Sequence, residues 1–292
     1  MTSNGFWNIW QHLPEKIDPV IFEIGRFKLQ YYGLMYIVAF AVTYFLAMYR
    51  IKHEDRFEIS ADQIKDLTVN MLLGLVIGAR LGYVLFYNFL YYLKHPLEII
   101  LPFQFSGGIQ FVGISGMSYH GGLIGVLLAG WLYLRKHNLS FWEGCDLFVP
   151  VIPMGYTFGR LGNFINGELY GRITGSPIGM YFSSAPGPER RHPSQLYEAF
   201  FEGIFLFAVL WVIRKRNLPR GAMLGFYLIG YGMVRFIIEY FRQPDAHLGY
   251  VLLSFSMGQV LCSLMIFGGA LLYLYLQRRE KRYPNPKPGR NR

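Results

Sequence analysis

The sequence predicts an all-α integral membrane protein with seven transmembrane helices, an external N-terminus, a cytoplasmic C-terminus and small external loops. Two observations predict this fold: long apolar runs, and an uneven distribution of basic residues. Hydrophobic residues make up 53% of the 292-residue chain, whose mean hydropathy is +0.26. A helix needs roughly 20 apolar residues to cross the hydrocarbon core of a bilayer. Seven runs approach that length, at about 31–49, 68–92, 114–134, 146–165, 196–213, 221–241 and 252–276.

The basic residues predict the orientation. Of the 28 Lys and Arg residues, 17 fall in alternate loops and the C-terminal stretch on one side, and eight fall on the other. The positive-inside rule places the side with more Lys and Arg in the cytoplasm. Residues 1–277 are therefore expected to form one membrane domain, followed by a basic cytoplasmic tail at 278–292. The first residues lack a basic region followed by an apolar core, so no cleaved signal peptide is expected.

Composition argues against several other classes of protein. The two cysteines, Cys145 and Cys262, have no CxxC partner, so we expect neither a thiolate metal site nor a structural disulfide. The seven histidines show no HExxH spacing. We therefore expect no metal and no cofactor. The net charge of +10 is accounted for by the cytoplasmic loops, so nucleic acid is not an expected partner.

Nearly all of the polar side chains inside the apolar runs gather at one depth in this orientation. They lie toward the outer ends of their segments: Tyr32, His120, Arg160, Asn163, Asn166, Glu168, Arg235 and Glu239. Charge at membrane depth costs about 2.5 kcal/mol or more, so such groups face the bundle interior or a wet cavity. Arg160 and Asn163 are three residues apart and share one helix face. Tyr231, Arg235 and Glu239 are spaced by four and share another.

If those two faces meet, they form a cationic pocket open to the outer leaflet. Arginine suits a phosphate group there, because its planar fork donates two parallel hydrogen bonds and stays charged when desolvated. A structural interpretation remains open for the same residues. Arg235 and Glu239 could form an intrahelical ion pair, and the two asparagines could hydrogen-bond between helices.

Other residues near this depth also have structural interpretations. Three glycines, at positions 155, 159 and 162, are typical of a close-packing helix face. His192 lies in HPSQLYE, which reads as a helix start, so it could act in capping. His120 could be a hydrogen-bonded structural histidine, and Tyr32 an aromatic-belt residue. These interpretations do not explain why so many polar groups share one depth.

Six stretches resemble one known family. They are YYGLMY (31–36), GARLGYVLFYN (78–88), MSYHGGLIGV (117–126), GRLGNFINGE (159–168), RHPSQLYE (191–198) and YGMVRFIIEYFRQPD (231–245). Together they are similar to the bacterial prolipoprotein diacylglyceryl transferases, in the same order over most of the chain. GRLGNFINGE is the most specific of them. The external stretches 99–116 and 172–190 depart from the family pattern.

The resemblance implies an enzyme of the bacterial inner membrane whose active site faces the outer leaflet. Its substrates would be phosphatidylglycerol and the signal-peptide cysteine of a prolipoprotein, with glycerol phosphate as the second product. The resemblance implies a phosphate-binding role for Arg160, with Asn163, Glu168 and Gly171 in its motif. It also points to Tyr32, His120, Tyr231, Arg235 and Glu239 as residues that the reaction needs.

The chemistry of the reaction fits these residue types. Two preorganised arginines would stabilise the negative charge that gathers on the leaving phosphate. His120 could accept the thiol proton, with Gly121 and Gly122 leaving room for a ligand to approach. His120 could instead hydrogen-bond the lipid or Tyr32, so the identity of the base stays open. The alternative function is a transporter or scramblase of an anionic phospholipid.

Overall fold

The structure is a computed structural model that describes residues 3–25, 27–101, 103–104, 110–111, 116–243, 250–252 and 255–282. Most of these residues are helical. The helices are α1 (Ser3–Gln11), α2 (Leu13–Lys16), α3 (Tyr31–His53), α4 (Ala61–Tyr87), α5 (Phe89–Lys94), α6 (Tyr119–Lys136), α7 (Phe141–Phe148), α8 (Ile152–Ile165), α9 (Ser194–Ile213), α10 (Ala222–Ile238) and α11 (Met257–Arg282). A 3₁₀ turn spans Pro96–Ile99, and the Glu198–Phe205 part of α9 is π-helical.

Short β-hairpins add to this helical fold, although the predicted class was all-α. The alternation of polar and apolar residues in IFEIGRFKLQ (21–30) indicates an interfacial segment or short strands, and the first hairpin lies there. The strands of the described residues pair antiparallel, two by two. They are β1 (Val20–Ile24) with β2 (Phe27–Gln30), β3 (Phe103–Gln104) with β4 (Gln110–Phe111), and β5 (Tyr250–Leu252) with β6 (Phe255–Ser256).

Among the residues that the structure describes, four helices are long and apolar enough to cross a membrane: α3, α4, α9 and α11. The other three predicted segments contain α6, α8 and α10, which fall short in length or in hydropathy. The basic tail that was predicted from residue 278 begins inside α11, which continues to Arg282. Residues 283–292 of that tail lie outside the described residues.

Local chemistry explains where two predicted segments differ from the helices. The second segment was predicted from residue 68, but α4 begins at Ala61 because Ser60 and Gln63 form a capping box. The Ser60 hydroxyl accepts from the Gln63 amide, and the Gln63 side chain accepts from the Ser60 amide. The fourth segment was predicted to be continuous over 146–165. It is divided into α7 and α8 at Pro150, which has no amide hydrogen to continue a helix.

The chain forms two compact units, of which the second comprises residues 54–144. In it, α4 and α6 pack backbone against backbone. A Cβ atom built on Gly125 would lie 2.0 Å from the carbonyl oxygen of Gly74, and one on Gly121 would lie 2.3 Å from that of Gly78. A Cβ atom on Gly122 would lie 2.9 Å from the side chain of Leu75. The expectation that Gly121 and Gly122 leave room for a ligand is therefore wrong, because α4 fills that space.

The first unit comprises residues 1–53 and 145–292. Here α8 packs closely against α3, and two glycines make the approach possible. A Cβ atom on Gly155 would lie 2.5 Å from the Thr43 hydroxyl, and one on Gly162 would lie 3.3 Å from Met35 and from the ring of Tyr32. The close-packing interpretation is confirmed for these two positions. Gly159 differs, since a Cβ atom there would meet nothing within 4 Å.

Candidate functional site

Three helices of the first unit contribute the charged residues of the candidate site. Arg160 and Asn163 lie on α8, and Arg235 lies near the end of α10. Between them α9 contributes Glu198 and Glu202, which are 0% and 1% exposed. Charges that are buried in this number must be paired, because desolvation of an isolated ion costs several kcal/mol. We refer to these residues, with Tyr156 and Glu239, as the arginine–glutamate cluster.

Arg160 is held by short contacts through two nitrogens of its guanidinium group. Its Nε lies 2.8 Å from Oε2 of Glu198 and donates to the Tyr156 hydroxyl at 2.6 Å. Its Nη1 donates to Oδ1 of Asn163 at 3.2 Å. The Tyr156 hydroxyl in turn donates to Oε2 of Glu202 at 2.5 Å. These contacts fix the plane of the guanidinium group.

Arg235 contacts three carboxylates, over longer distances than the contacts of Arg160 with Glu198 and Tyr156. Its Nη1 lies 3.2 Å from Oε2 of Glu198 and 3.4 Å from Oε1 of Glu202. Its Nη2 lies 3.4 Å from Oε2 of Glu239, whose other oxygen accepts from the Ser256 hydroxyl at 3.0 Å. The intrahelical pair of Arg235 and Glu239 is therefore present, but Arg235 is also paired with carboxylates of another helix.

The prediction of a cationic pocket is wrong for this cluster. Glu198 contacts Arg160 and Arg235 through one oxygen, and its other oxygen lies 3.1 Å from Nη1 of Arg242. Because the buried carboxylates balance the arginines, no excess of positive charge accumulates in the cluster. Glu202 adds a second carboxylate to the same region.

Glu198 and Glu202 are the main residues of the cluster that were not predicted from the sequence as site residues. The charged side chains predicted for the site included Glu168 and Glu239, but neither of these two glutamates. The same physical argument applies to acidic residues, and two glutamates four residues apart in the apolar stretch EAFFEGIFLF carry the same signal. Their place in a π-helical stretch had no recognisable sequence signal. Such stretches occur often at functional sites.

The motif residues downstream of Arg160 form a connected turn. Asn163, which is buried, donates from Nδ2 to Oε1 of Glu168 at 2.8 Å while accepting from Arg160. Gly171 lies where no side chain fits, since a Cβ atom would be 2.3 Å from the carbonyl oxygen of Phe241. Its amide donates to the His192 carbonyl at 2.8 Å. This glycine therefore allows a close backbone approach.

The two predicted tyrosines lie beside the cluster. Tyr32 is half-buried against Gly162 of α8, and its hydroxyl lies 3.1 Å from that of Tyr36. The ring of Tyr231 meets that of Tyr156 edge-on, with centroids 6.1 Å apart. The structure thus brings eight of the nine predicted site residues into the first unit.

His120 is the exception, since it belongs to the second unit. It is the second residue of α6, which Ser118 caps by accepting from the Gly121 amide at 3.3 Å. The His120 side chain is exposed, and its ring lies edge-on to that of Tyr119 with centroids 5.7 Å apart. The imidazole is therefore accessible to a ligand on the surface of its unit.

The chemistry of the cluster is that of paired ions rather than of a metal centre. Within the part of the chain that the structure describes, no three His, Cys, Asp or Glu residues are grouped so that they could hold a metal ion. Two guanidinium groups held in place by carboxylates can bind an anion when it replaces some of those contacts. The longer contacts of Arg235 make it the arginine that can more easily turn toward such an anion.

Comparison with known proteins gives a consistent result. Residues 19–275 match the model of a family described as prolipoprotein diacylglyceryl transferase. A protein of Chlorobaculum tepidum named phosphatidylglycerol–prolipoprotein diacylglyceryl transferase is 54% identical over 277 residues, which cover 94% of this chain and 96% of the relative. Proteins of the same name from Idiomarina loihiensis and Bordetella avium are 46% and 45% identical. These two matches cover 97% and 92% of this chain, and 99% and 98% of the respective relatives.

Proposed function

The chain belongs to the prolipoprotein diacylglyceryl transferase family, and we propose that it transfers the diacylglyceryl group of phosphatidylglycerol to the thiol of a signal-peptide cysteine. It is a transferase of the first step of lipoprotein maturation. A transporter or scramblase of anionic phospholipid, the alternative that the sequence left open, is not supported, since the relatives carry the name of a transferase. The observation that carries the proposal is this family membership, together with the buried arginines.

The reaction breaks one carbon–oxygen bond and forms one carbon–sulfur bond. The thiol sulfur attacks the carbon of the diacylglyceryl group that bears the phosphate, and the electrons of the broken carbon–oxygen bond leave with the phosphate oxygen. The thiol proton passes to a base, and glycerol phosphate is released. Negative charge therefore grows on the phosphate during the reaction. Preorganised donors aimed at such a charge are commonly the largest contribution to catalysis.

In the proposed mechanism, Arg160 and Arg235 bind the phosphate of the donor lipid. The contacts of Arg160 with Glu198 and Tyr156 hold its guanidinium group in one orientation before the lipid arrives. A guanidinium group already in place loses little conformational entropy when it binds. Tyr32, Asn163, Glu168, Gly171, Tyr231 and Glu239 complete the proposed site as residues that shape it or bind the lipid.

We propose His120 as the group that accepts the thiol proton. Its support is an exposed imidazole in the first turn of α6, and histidine is the side chain that most often serves as a general base. We expect His120→Gln to bind phosphatidylglycerol but to transfer it about 10²–10⁴-fold more slowly. A variant with weaker lipid binding and an unchanged rate at saturation would show that His120 positions the substrate instead.

We further propose seven membrane spans, with the N-terminus outside, the C-terminus in the cytoplasm and the site facing the outer leaflet of the inner membrane. The distribution of Lys and Arg supports this orientation. Reporter fusions at residues 60 and 180 should report a cytoplasmic and an external position respectively. The reverse result would place the arginine–glutamate cluster in the wrong leaflet for this reaction.

The function is tested directly with purified protein in phosphatidylglycerol vesicles and a synthetic signal peptide with one cysteine. Mass spectrometry should find the peptide heavier by one diacylglyceryl group, with glycerol phosphate released in equal amount. A peptide with serine in place of cysteine, and vesicles of phosphatidylcholine alone, are the controls. Transfer to the serine peptide at the same rate would exclude the thiol as acceptor.

Arg160→Lys tests whether the planar guanidinium group of Arg160 binds the phosphate through two parallel hydrogen bonds. Lysine keeps the charge but loses the planar pair of donors, so we expect transfer to fall by about 10²–10³-fold, as when an oxyanion donor is removed. Arg190→Lys is the matched control, because Arg190 donates to the Gly175 carbonyl outside the cluster. Near-normal transfer by a folded Arg160→Lys protein would rule out a phosphate-binding fork at this position.

A further inference from the structure

The turn at residues 167–171, here called the motif turn, has an unusual backbone. Leu169 has a φ of +59°, and Asn138 is the other non-glycine residue of the described chain with a positive φ. Asparagine adopts this conformation with relative ease, whereas leucine carries the full steric strain between its Cβ atom and the backbone. The Leu169 side chain is 43% exposed, so its burial does not compensate for the strain.

Side chains of another segment hold this strained backbone. The carbonyl oxygens of residues 167, 168 and 169 each accept a hydrogen bond from a side chain. The donors are the Ser184 hydroxyl to Gly167, Nε2 of Gln195 to Glu168 at 2.6 Å, and the Ser194 hydroxyl to Leu169 at 2.9 Å. Ser194 and Gln195 are both 0% exposed, so water cannot replace them as donors without entering the protein.

The backbone of the motif turn determines where the Glu168 carboxylate points. That carboxylate accepts from Nδ2 of Asn163 at 2.8 Å and so fixes which way the Asn163 amide faces. The amide then presents Oδ1 to Nη1 of Arg160 at 3.2 Å. A continuous series of hydrogen bonds thus runs from the Gln195 side chain, through Glu168 and Asn163, to the guanidinium group of Arg160.

We propose that Ser194 and Gln195 are positioning residues for Arg160, which act by holding Leu169 in its left-handed conformation. This inference rests on the proposed phosphate-binding role of Arg160. When a donor is lost, Leu169 relaxes to a negative φ, the Glu168 carboxylate withdraws and the Asn163 amide is free to turn. The donor lipid still binds, but Arg160 no longer meets the leaving phosphate in the productive geometry.

Gln195→Met tests this proposal, because methionine keeps the volume and loses the donor. We expect kcat to fall about 10²-fold, as for a catalytic group displaced by about 1 Å, with the KM for phosphatidylglycerol changed by less than about threefold. Ser194→Ala should have a smaller effect in the same direction. Ser263→Ala is the matched control, since its hydroxyl also donates over 2.9 Å to a carbonyl, that of Gln259, and we expect its kcat to stay normal.

Rescue of the Gln195→Met variant by a second substitution, Leu169→Gly, distinguishes a positioning role of Gln195 from a general structural role. Glycine adopts a positive φ without strain, so in a chain that carries Leu169→Gly the motif turn needs less support. A double-mutant cycle compares the factor by which Gln195→Met lowers kcat in the two backgrounds. We expect that factor to be at least about ten times smaller when Leu169→Gly is also present. An equal loss in both backgrounds, or full activity of Gln195→Met, would overturn the proposal.

Hydrogen exchange provides a readout that needs no activity. The Glu168 amide donates to the Asn163 carbonyl at 3.0 Å and reports on the motif turn. We expect it to exchange faster in Gln195→Met and to slow again when Leu169→Gly is added. Unchanged exchange in Gln195→Met would overturn the proposal even if transfer had failed in every variant. Failure of transfer by the unaltered chain, with the exchange pattern as expected, would instead count against the proposed function.

Discussion

The arginine–glutamate cluster of the first unit and the α4–α6 contact of the second bring helices together by opposite means. In the cluster, α8, α9 and α10 are joined by long charged side chains, with Glu198 at 0% exposure between two arginines. In the α4–α6 contact, glycines remove the side chains, and the Cβ position of Gly125 is 2.0 Å from a backbone oxygen of the partner helix.

The difference indicates that the arginine–glutamate cluster does more than pack helices together. Glycine contacts satisfy helix association in a membrane at little cost, through close van der Waals packing. Buried ion pairs are expensive, because desolvation can exceed the attraction between the charges. A protein that can pack helices with glycine, and yet buries two arginines and two glutamates elsewhere, gains something other than stability from the charges. Anion binding by the arginines is that gain in the proposed function.

Glu198→Gln should have the largest effect on stability. It leaves Arg160, Arg235 and Arg242 without their shared carboxylate, and removal of one partner from a buried ion pair costs about 3–5 kcal/mol. The measurement is the free energy of unfolding in detergent. Glu189→Gln at an exposed position is the control and should change stability by less than about 0.5 kcal/mol. Equal stability of the two variants would mean that the cluster is not held by Glu198.

Gly125→Ala should have the next largest effect, in the other region. One added methyl group would overlap the Gly74 backbone, so α4 and α6 must separate, at about 1–3 kcal/mol. Gly130→Ala on the same helix is the control, because its Cβ atom would lie 3.5 Å from Met71, an ordinary contact. If both variants were equally stable, the close approach of the two helices would not be needed for folding.

Gly159→Ala should shift stability the other way, although Gly159 lies beside Arg160 in the motif. Its Cβ atom would meet nothing within 4 Å, and alanine in a helix interior is better than glycine by about 0.8–1 kcal/mol. We therefore expect a small increase in the free energy of unfolding. A loss as large as that of Gly125→Ala would indicate that Gly159 is packed like the glycines of α4 and α6.

Replacement of His192 should have the smallest effect on stability, and that effect should depend on pH. It lies outside the spans, with Nδ1 3.1 Å from the Tyr197 hydroxyl, and burial lowers the pKa of its imidazole. The unfolded state therefore binds the proton more readily, and the contribution of His192 to stability decreases as the pH falls below about 6.5. When the pH is lowered from 7 to 5, the free energy of unfolding should therefore decrease slightly less for the His192→Asn variant than for the unaltered chain. An identical pH dependence would show that His192 is equally solvated in both states.

The sequence by itself determined the class of protein and indicated most of the candidate site residues. The apolar runs of α3, α4, α9 and α11 could be recognised because a helix in lipid must be apolar over its whole length, which is a local property. The arginines could be recognised for the same reason, since a charge inside such a run stands out. The capping box at Ser60 and Gln63 was also within reach of local rules.

Only the tertiary structure decided how those residues are paired. Glu198 is 38 residues from Arg160 and 37 from Arg235, and no pattern along the chain reports that all three meet. The same holds for the glycines: Gly121 and Gly159 look alike in sequence, but one is pressed against α4 and the other faces open space. The strained Leu169 is held by residues about 25 positions away. Pairing, packing and strain depend on distances between helices, and those are set by how the whole chain folds.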